Sequence, residues 1–178
     1  TGKCKVRNSQ VYQHIIAVTL INIKSVFQHS KEEVVFTLFS SAIMDTATVS
    51  FSTKTNSSVK SIDELKNICH QVRRDIIRMV HGCQSGHPGG SLGCTEFFVA
   101  LYFQILKHDP KKFTMDGMGE DVFFLSNGHI SPVWYSVLAR SGYFSLNELS
   151  TFRKINTRLQ GHPTTHEGLP GIRIASGS

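Results

Sequence analysis

The chain has 178 residues, of which 40% are hydrophobic and 18% are charged, with a formal net charge of +6. This composition excludes a disordered polymer and is typical of a globular protein that is long enough to bury a core. The basic residues are dispersed, in pairs such as Arg73-Arg74 and Lys111-Lys112 and not in longer runs. Because nucleic-acid binding needs basic residues clustered on one face, the charge favours small anionic ligands over DNA or RNA.

The cysteines and the apolar stretches indicate the compartment of the protein and its relation to the membrane. Four cysteines share no C-x-x-C or zinc-ligand spacing: Cys4, Cys69, Cys83 and Cys94. Unpaired cysteines of this kind are typical of a reducing compartment, so we expect a cytoplasmic protein. The longest apolar stretch, 15–23, is interrupted by polar residues and is too short to span a bilayer, which predicts no membrane association.

Residues 1–57 differ in composition from the rest of the chain. They contain one glycine and no proline, whereas residues 58–178 contain thirteen glycines and all five prolines. A strand pattern at 34–39 has no evident partner, and a run rich in serine and threonine follows Met44. We therefore expect 1–57 to be an unmatched, disordered leader that adds no stability to 58–178. Met44 is a candidate initiator, in which case residues 1–43 are upstream translation.

Two helices are predicted in the first half of the ordered region. Ser61 and Glu64 have the spacing of a capping box, and Gly82 predicts the end of the first helix. Apolar residues recur between them at helical spacing: Leu65, Ile68, Cys69, Val72, Ile76, Met79 and Val80. A glycine-rich loop is expected over 85–93, and Thr95 predicts the start of a second helix.

The second half of the ordered region alternates strand and helix patterns. The continuous apolar run 122–125 predicts a strand that is buried on both faces, and Ile-Arg-Ile-Ala at 172–175 predicts a second buried strand. Between them, Ser131 and Pro132 predict the N-cap and first turn of a helix that ends at Gly142. This alternation predicts an α/β fold with a partial open parallel sheet flanked by helices. In such sheets, ligands bind outside the carboxyl ends of the strands.

Three Gly-His pairs carry the candidate chemistry. They are Gly86-His87, Gly128-His129 and Gly161-His162, more pairs than the numbers of glycine and histidine predict by chance. His129 follows the first predicted strand and Gly177 follows the second, so both lie at the predicted ligand edge. The histidines alone are compatible with a zinc site, an acid/base set or unrelated loop residues. Their glycine-rich surroundings and the absence of paired H-x-x-x-H spacing favour contact with an anion or phosphate.

The ordered set of motifs resembles the amino-terminal half of transketolase over about residues 62–178. The motifs are Ser-Gly-His-Pro-Gly-Gly at 85–90, Leu-Ser-Asn-Gly-His at 125–129, Gly-His-Pro at 161–163, Leu-Pro-Gly at 169–171 and Ser-Gly at 176–177. Residues 1–57 show no resemblance. The residues at 89–90 and 94–96 resemble more closely those transketolases in which the two halves are separate subunits.

The resemblance implies a thiamine diphosphate-binding fold and the transfer of a two-carbon ketol unit between sugar phosphates. It implies that His87 and His162 contact the hydroxyls of the donor sugar and assist proton transfer. By the same resemblance, His129 lies beside the cofactor diphosphate, and Gly177 and Ser178 begin the turn whose backbone meets the cofactor. A metal, usually Mg²⁺, and a pyrimidine-binding half are also implied. That half belongs to the same chain or to a separate one, in a homodimer or a split-subunit assembly.

The chain departs from the family pattern in its metal motif. The family's Gly-Asp-Gly followed by Asn occurs nowhere in the 178 residues, and Asp116-Gly117 precedes the strand and is not that motif. Metal ligands are therefore expected beyond Ser178. We expect the chain to be a fragment of a transketolase that is inactive alone and binds thiamine diphosphate weakly. The alternative hypothesis is a non-catalytic remnant that only associates with other chains. Coding sequence beyond Ser178 that supplies Gly-Asp-Gly would discriminate between them.

Overall fold

The computed structural model describes residues 15–18, as backbone, and 60–177. Its strands and α-helices are β1 (Ile15–Val18), α1 (Ile62–Cys83), α2 (Pro88–Gly93), α3 (Thr95–Ala100), β2 (Val122–Leu125) and α4 (Ser131–Ser141). A π-helical turn follows α3 at Leu101–Ile105, and 3-10 turns lie at Pro110–Lys112, Gly128–Ile130 and Leu146–Thr151.

Helix α1 begins with the predicted capping box. The backbone N–H of Glu64 donates to Ser61 Oγ (3.2 Å), and the N–H of Ser61 donates to Glu64 Oε2 (2.7 Å). The bond from the Ser61 backbone lowers the pKa of the Glu64 carboxyl. At the other end the helix continues through Gly82 to Cys83, and Gln84 forms the left-handed cap with φ 51°. The predicted end was therefore one residue early, because Gln84 and not a glycine adopts the cap conformation.

The expected glycine-rich loop is shorter than predicted. Pro88–Gly93 form helix α2, and only the residues that precede Pro88 remain a loop, with Gly86 at φ 125°. Proline at the first helical position has its φ already set for the helix, and the fully buried Ser91 packs this short helix against the core. Helix α3 starts at Thr95 as predicted.

The core lies between α1, α3 and α4. Trp134 and Tyr135 in α4 are completely buried, and Trp134 Nε1 donates to Tyr102 Oη at 2.5 Å. One buried carboxylate ties α1 to α4: Asp75 Oδ2 accepts from Ser136 Oγ (2.8 Å) and from Arg140 Nε (2.6 Å). Helix α4 starts at Ser131 itself, with Ile130 as N-cap, so Ser131 is not the cap that the sequence predicted. Gly142 ends the helix as predicted, at φ 96°.

The sheet in the described part of the chain has two strands, β1 and β2, which pair in parallel with Ile15 opposite Val122. The prediction of β2 is confirmed, but 172–175 form no strand within the described residues. The side chain of Arg173 anchors that segment instead. It donates from Nε to the Thr114 carbonyl oxygen (2.8 Å), pairs with the Glu120 carboxylate and lies 4.6 Å above the Phe113 ring.

Strand β1 belongs to the segment that the sequence assigns to an unmatched leader. Its four residues pair with β2 along its whole length, so this part of the predicted leader contacts residues 122–125. The predicted strand at 34–39 and the candidate initiator Met44 lie outside the described residues. The division of the chain at residue 57 stays a prediction. Among the described residues, no helix has both the length and the apolar character needed to cross a membrane.

Candidate functional site

His87, His129 and His162, called here the histidine cluster, lie together at the carboxyl end of β2. The ring centroids of His87 and His129 are 5.3 Å apart, and those of His129 and His162 are 4.9 Å apart, both in edge-to-face geometry. His129 is therefore the central member. His87 and His129 are exposed and His162 is half-buried, so the cluster is open to a ligand. The structure thus brings together three histidines that are far apart in the sequence, with 75 positions between His87 and His162.

The turn after β2 orients the His129 ring. Asn127 Oδ1 accepts the backbone N–H of His129 (3.1 Å) and also lies 3.1 Å from His129 Nδ1. Since this oxygen can only accept, Nδ1 carries a proton in that contact. The Nε2 atom of a neutral His129 is then a hydrogen-bond acceptor, and it becomes a donor only when the ring is an imidazolium.

Gly128 allows the loop that carries His162 to approach β2. A Cβ atom at Gly128 would lie 2.7 Å from the carbonyl oxygen of Gly177, 2.7 Å from Ser176 Oγ and 2.9 Å from His162 Cγ. No side chain fits in that space. The N–H of Gly128 donates to the Gly177 carbonyl oxygen (3.3 Å), and this bond fixes the approach.

The backbone before His162 is held by helix α4. Ser131 Oγ donates to the Gly161 carbonyl oxygen (2.6 Å), and Tyr135 Oη donates to that of Gln160 (2.8 Å). Burial lowers the pKa of His162, and the positive charges of His129, Arg153 and His87 lower it further. The imidazole of His162 therefore stays neutral to lower pH than an exposed histidine.

Gly177 lies where the sequence placed it, beside the end of β2, although 172–175 form no strand. Its N–H donates to the Leu125 carbonyl oxygen (3.3 Å), and its own carbonyl oxygen accepts from Gly128. Both backbone groups are engaged, so Gly177 contributes close approach and not a spare N–H. Ser178, the other predicted cofactor residue of this turn, lies outside the described residues. Ser176 Oγ, which sequence reasoning missed, is buried and has no hydrogen-bond partner among the described residues.

Arg153 was also missed as a site residue. It lines a cavity of about 460 Å³ together with Gln160, Gly161, His162, Thr164 and Glu167. Its Nη1 donates to Ser85 Oγ at 2.6 Å. No local spacing in the sequence links Arg153 to the loop of Ser85 or to the loop of His162.

The histidine cluster lacks the features of a metal centre. No group of three or more histidine, cysteine, aspartate or glutamate side chains in the described part of the chain is arranged to hold a metal ion. The zinc alternative therefore has no support in the geometry of residues 60–177.

Comparison with known proteins identifies what the chain is similar to. Residues 65–178 match the profile of the family described as "Transketolase, thiamine diphosphate binding domain". The chain is 37% identical over 113 residues to a transketolase of Buchnera aphidicola, covering 63% of this chain and 16% of that protein. It is 32% identical over 119 residues to one subunit of the apulose-4-phosphate transketolase of Actinobacillus succinogenes, covering 66% of this chain and 42% of that protein.

Solved structures agree with these relatives. The transketolase of Campylobacter jejuni superposes with a TM-score of 0.60 and 35% identity, over 66% of this chain and 18% of that one. The transketolase of Leishmania mexicana gives a TM-score of 0.59 and 28% identity, over 64% of this chain and 17% of that one. The chain thus spans less than half the length of the curated relatives described here.

Proposed function

Because this chain belongs to the family of transketolase thiamine diphosphate-binding domains, we propose that it supplies the diphosphate-binding half of a transketolase active site. The observation that carries the proposal is the histidine cluster at the carboxyl end of β2. The complete enzyme would move a two-carbon ketol unit from a ketose phosphate to an aldose phosphate.

The residues around Gly128 fit the diphosphate of the cofactor. Ser176 Oγ is a buried hydroxyl that finds no partner in the part of the chain that the structure describes, as expected of a donor that awaits an acceptor. His129 lies on the exposed turn that begins at Gly128, and Gly128 lets Ser176 approach that turn closely. We assign His129 and Ser176 to the diphosphate, with Gly177 and Ser178 added by the family resemblance. When bound, thiamine diphosphate supplies the nucleophilic carbon that breaks a carbon–carbon bond, chemistry that no side chain provides.

The described residues do not fit a magnesium ion in the same way. No carboxylate cluster lies at the end of β2 within residues 60–177, and no group of possible ligands converges elsewhere in that range. We therefore derive no step through the metal, and its ligands stay a prediction for sequence outside this chain.

His87 and His162 lie on either side of His129, where they would face a donor sugar. We assign both to hydrogen bonds with hydroxyl groups of the donor. The lowered pKa of His162 favours a neutral ring whose unprotonated nitrogen can accept a proton from a substrate hydroxyl near pH 7. His87 is more exposed, and we assign it to orienting the same sugar.

The partners of the proposed enzyme follow from the family. Sugar phosphates are the substrates, and a pyrimidine-binding half, in the same chain or in a separate one, completes the site. We accordingly propose a homodimer or a split-subunit assembly. A reducing, cytoplasmic setting suits Cys69, Cys83 and Cys94, which are free thiols.

The test is a nuclear magnetic resonance titration of the 178-residue chain with thiamine diphosphate, which also detects weak binding. We expect shifts of the amide signals of 126–129 and 176–177. Thiamine without the diphosphate is the matched ligand control and should leave them unmoved. His129→Gln should suppress the shifts, whereas His70→Gln, on the exposed face of α1, should not. Equal shifts with thiamine, or none with thiamine diphosphate, would favour the non-catalytic remnant.

A further inference from the structure

We propose that Arg153 is a positioning residue whose guanidinium joins the loop of His87 to the loop of His162 and so sets the spacing of the histidine cluster. The importance of that spacing for a shared sugar donor rests on the function proposed above. The geometric role itself does not depend on any ligand.

One side of the guanidinium reaches the loop before α2. Arg153 Nη1 donates to Ser85 Oγ at 2.6 Å, two residues before His87. Gly86 between them has φ 125°, a conformation that L side chains rarely adopt. The bond therefore fixes the chain immediately before His87, at a point where the backbone is otherwise free to vary.

The other side of the guanidinium packs on the loop of His162. A Cβ atom at Gly161 would lie 2.8 Å from Arg153 Nε and 2.9 Å from Nη2. Only glycine allows the planar group to lie so close to the backbone. The two loops that carry His87 and His162 thus meet different nitrogen atoms of the same planar group. Lysine has a single point charge and lacks this plane, so it cannot make both contacts.

The backbone of Arg153 is itself held in an unusual conformation. Its φ is 57°, in the left-handed region, and its N–H donates to the Leu159 carbonyl oxygen (2.9 Å). The preceding Phe152 is buried to 2% exposure, and the guanidinium lies 5.7 Å from that ring. The fold thus maintains a strained residue in order to aim one side chain, an arrangement that is common at functional sites.

Arg153 is not occupied by a structural ion pair. Among the described residues, no carboxylate lies within 4.0 Å of its guanidinium, although seven other basic residues make such pairs. Its Nε is buried and has no hydrogen-bond partner within residues 60–177. The charge of Arg153 is one of those that lower the pKa of His162, after burial and His129.

The test compares variants of the 178-residue chain by nuclear magnetic resonance, without any ligand. Cross-peaks between the rings of His87 and His129, and of His129 and His162, report the spacing of the cluster. The cross-peak between Phe123 and Trp134, whose centroids are 5.2 Å apart in the core, reports that the fold is intact. We expect Arg153→Ala to lose the His87–His129 cross-peak and to keep the core one.

Matched variants separate the contacts of Arg153 from its charge. Arg153→Lys should lose the same cross-peak but keep the low titration midpoint of His162, whereas Arg153→Ala should also shift that midpoint upward. Gly161→Ala should reproduce the loss by displacing the guanidinium. Arg74→Ala removes an exposed charge from α1 and should change neither signal.

Two outcomes would overturn the proposal. Unchanged histidine cross-peaks in Arg153→Ala would show that the cluster keeps its spacing without the arginine. If Arg153→Ala also loses the Phe123–Trp134 cross-peak, Ser85→Ala becomes decisive, because it removes only the acceptor hydroxyl. A retained His87–His129 cross-peak in Ser85→Ala would then refute the proposal. None of these measurements involves thiamine diphosphate, so a failure of the proposed function would be recognised separately.

Discussion

Replacement of Gly128 by alanine tests whether the close approach of two loops builds the site. The new methyl group would lie 2.7 Å from the Gly177 carbonyl oxygen and 2.7 Å from Ser176 Oγ. The serine hydroxyl can rotate away at little cost. The carbonyl oxygen belongs to the backbone, and it can move only if the whole segment moves. The substitution should therefore separate the loop of Gly177 from the end of β2.

The size of the effect follows from two contributions. Forcing one extra methyl group into a packed site costs about 1–3 kcal/mol. Displacing Gly177 also breaks the bond from the Gly128 N–H, whose length of 3.3 Å places it at the weak end of the range. Together we expect the free energy of unfolding to fall by about 2–3 kcal/mol. Gly82→Ala is the matched control, because a Cβ atom at Gly82 has nothing within 4 Å. In α1 that change should stabilise the protein by about 0.4–1 kcal/mol.

Urea unfolding monitored by tryptophan fluorescence measures both variants. Trp134 is the single tryptophan and is completely buried in the core, so its emission reports global unfolding. In the same samples, the cross-peak between the rings of His129 and His162 should weaken only in Gly128→Ala. If the two variants differed in stability by less than about 0.5 kcal/mol, the close approach would not be a constraint and the argument would be wrong.

Three further predictions concern the core, the pH dependence and the leader. Asp75→Asn removes the buried charge that accepts hydrogen bonds from Arg140 and Ser136. It should lower the free energy of unfolding by about 2–4 kcal/mol in urea titrations. The range extends below that of a fully buried ion pair because Arg140 is partly exposed to solvent. The lowered pKa of His162 means that its protonation favours the unfolded chain. The contribution of His162 to the free energy of unfolding should be fully present above its ordinary pKa of 6.5, and it should be lost as the pH falls towards the lower pKa of the folded state. A His162→Gln variant whose stability depends on pH in the same way as that of the unmodified chain would exclude this contribution. Deletion of residues 1–57 removes β1 and should lower stability by about 1–3 kcal/mol, whereas no change would support the original expectation of an inert leader.

Local signals explain which elements could be predicted from the sequence. Helix α1 was predicted because its capping box and its apolar period lie within one segment, and its end was misplaced by one residue. The helix at Pro88–Gly93 was missed because glycine content predicts a loop, whereas the proline and the buried Ser91 favour a helix. Tertiary packing, which a few neighbouring residues of the sequence do not reveal, determined the conformation of this segment.

The prediction of a strand at 172–175 was wrong for a different reason. Its apolar pattern is compatible with a buried strand, and Ile172 is indeed buried. Arg173, however, bonds with Thr114 and Glu120, which stand 59 and 53 residues earlier in the chain. No local pattern contains that information. The same limit hid Arg153, whose bond with Ser85 spans 68 residues.

The grouping of the three histidines was easier to predict than the sheet, because it depends on glycine. Each histidine of the cluster follows a glycine, and in two of the pairs a Cβ atom on that glycine would meet a neighbouring loop at under 3.0 Å. A glycine that makes room for another loop also places the next residue at the junction of the two loops. The repeated Gly-His pair therefore contained information about tertiary structure, although its spacing did not reveal which residues lay opposite.

The arrangement of the cluster suggests how the two kinds of contact in the proposed site stay separate. Asn127 keeps a proton on Nδ1 of His129, so this ring can donate from Nε2 to a diphosphate oxygen only as an imidazolium. An imidazolium at that position lowers the pKa of His162, whose ring lies 4.9 Å away. Binding of the anion at His129 would in turn offset that charge. If the diphosphate binds at His129 as proposed, the proton affinity of His162 would be coupled to the occupancy of that site through one ring contact, and the coupling would depend on the spacing of the two rings.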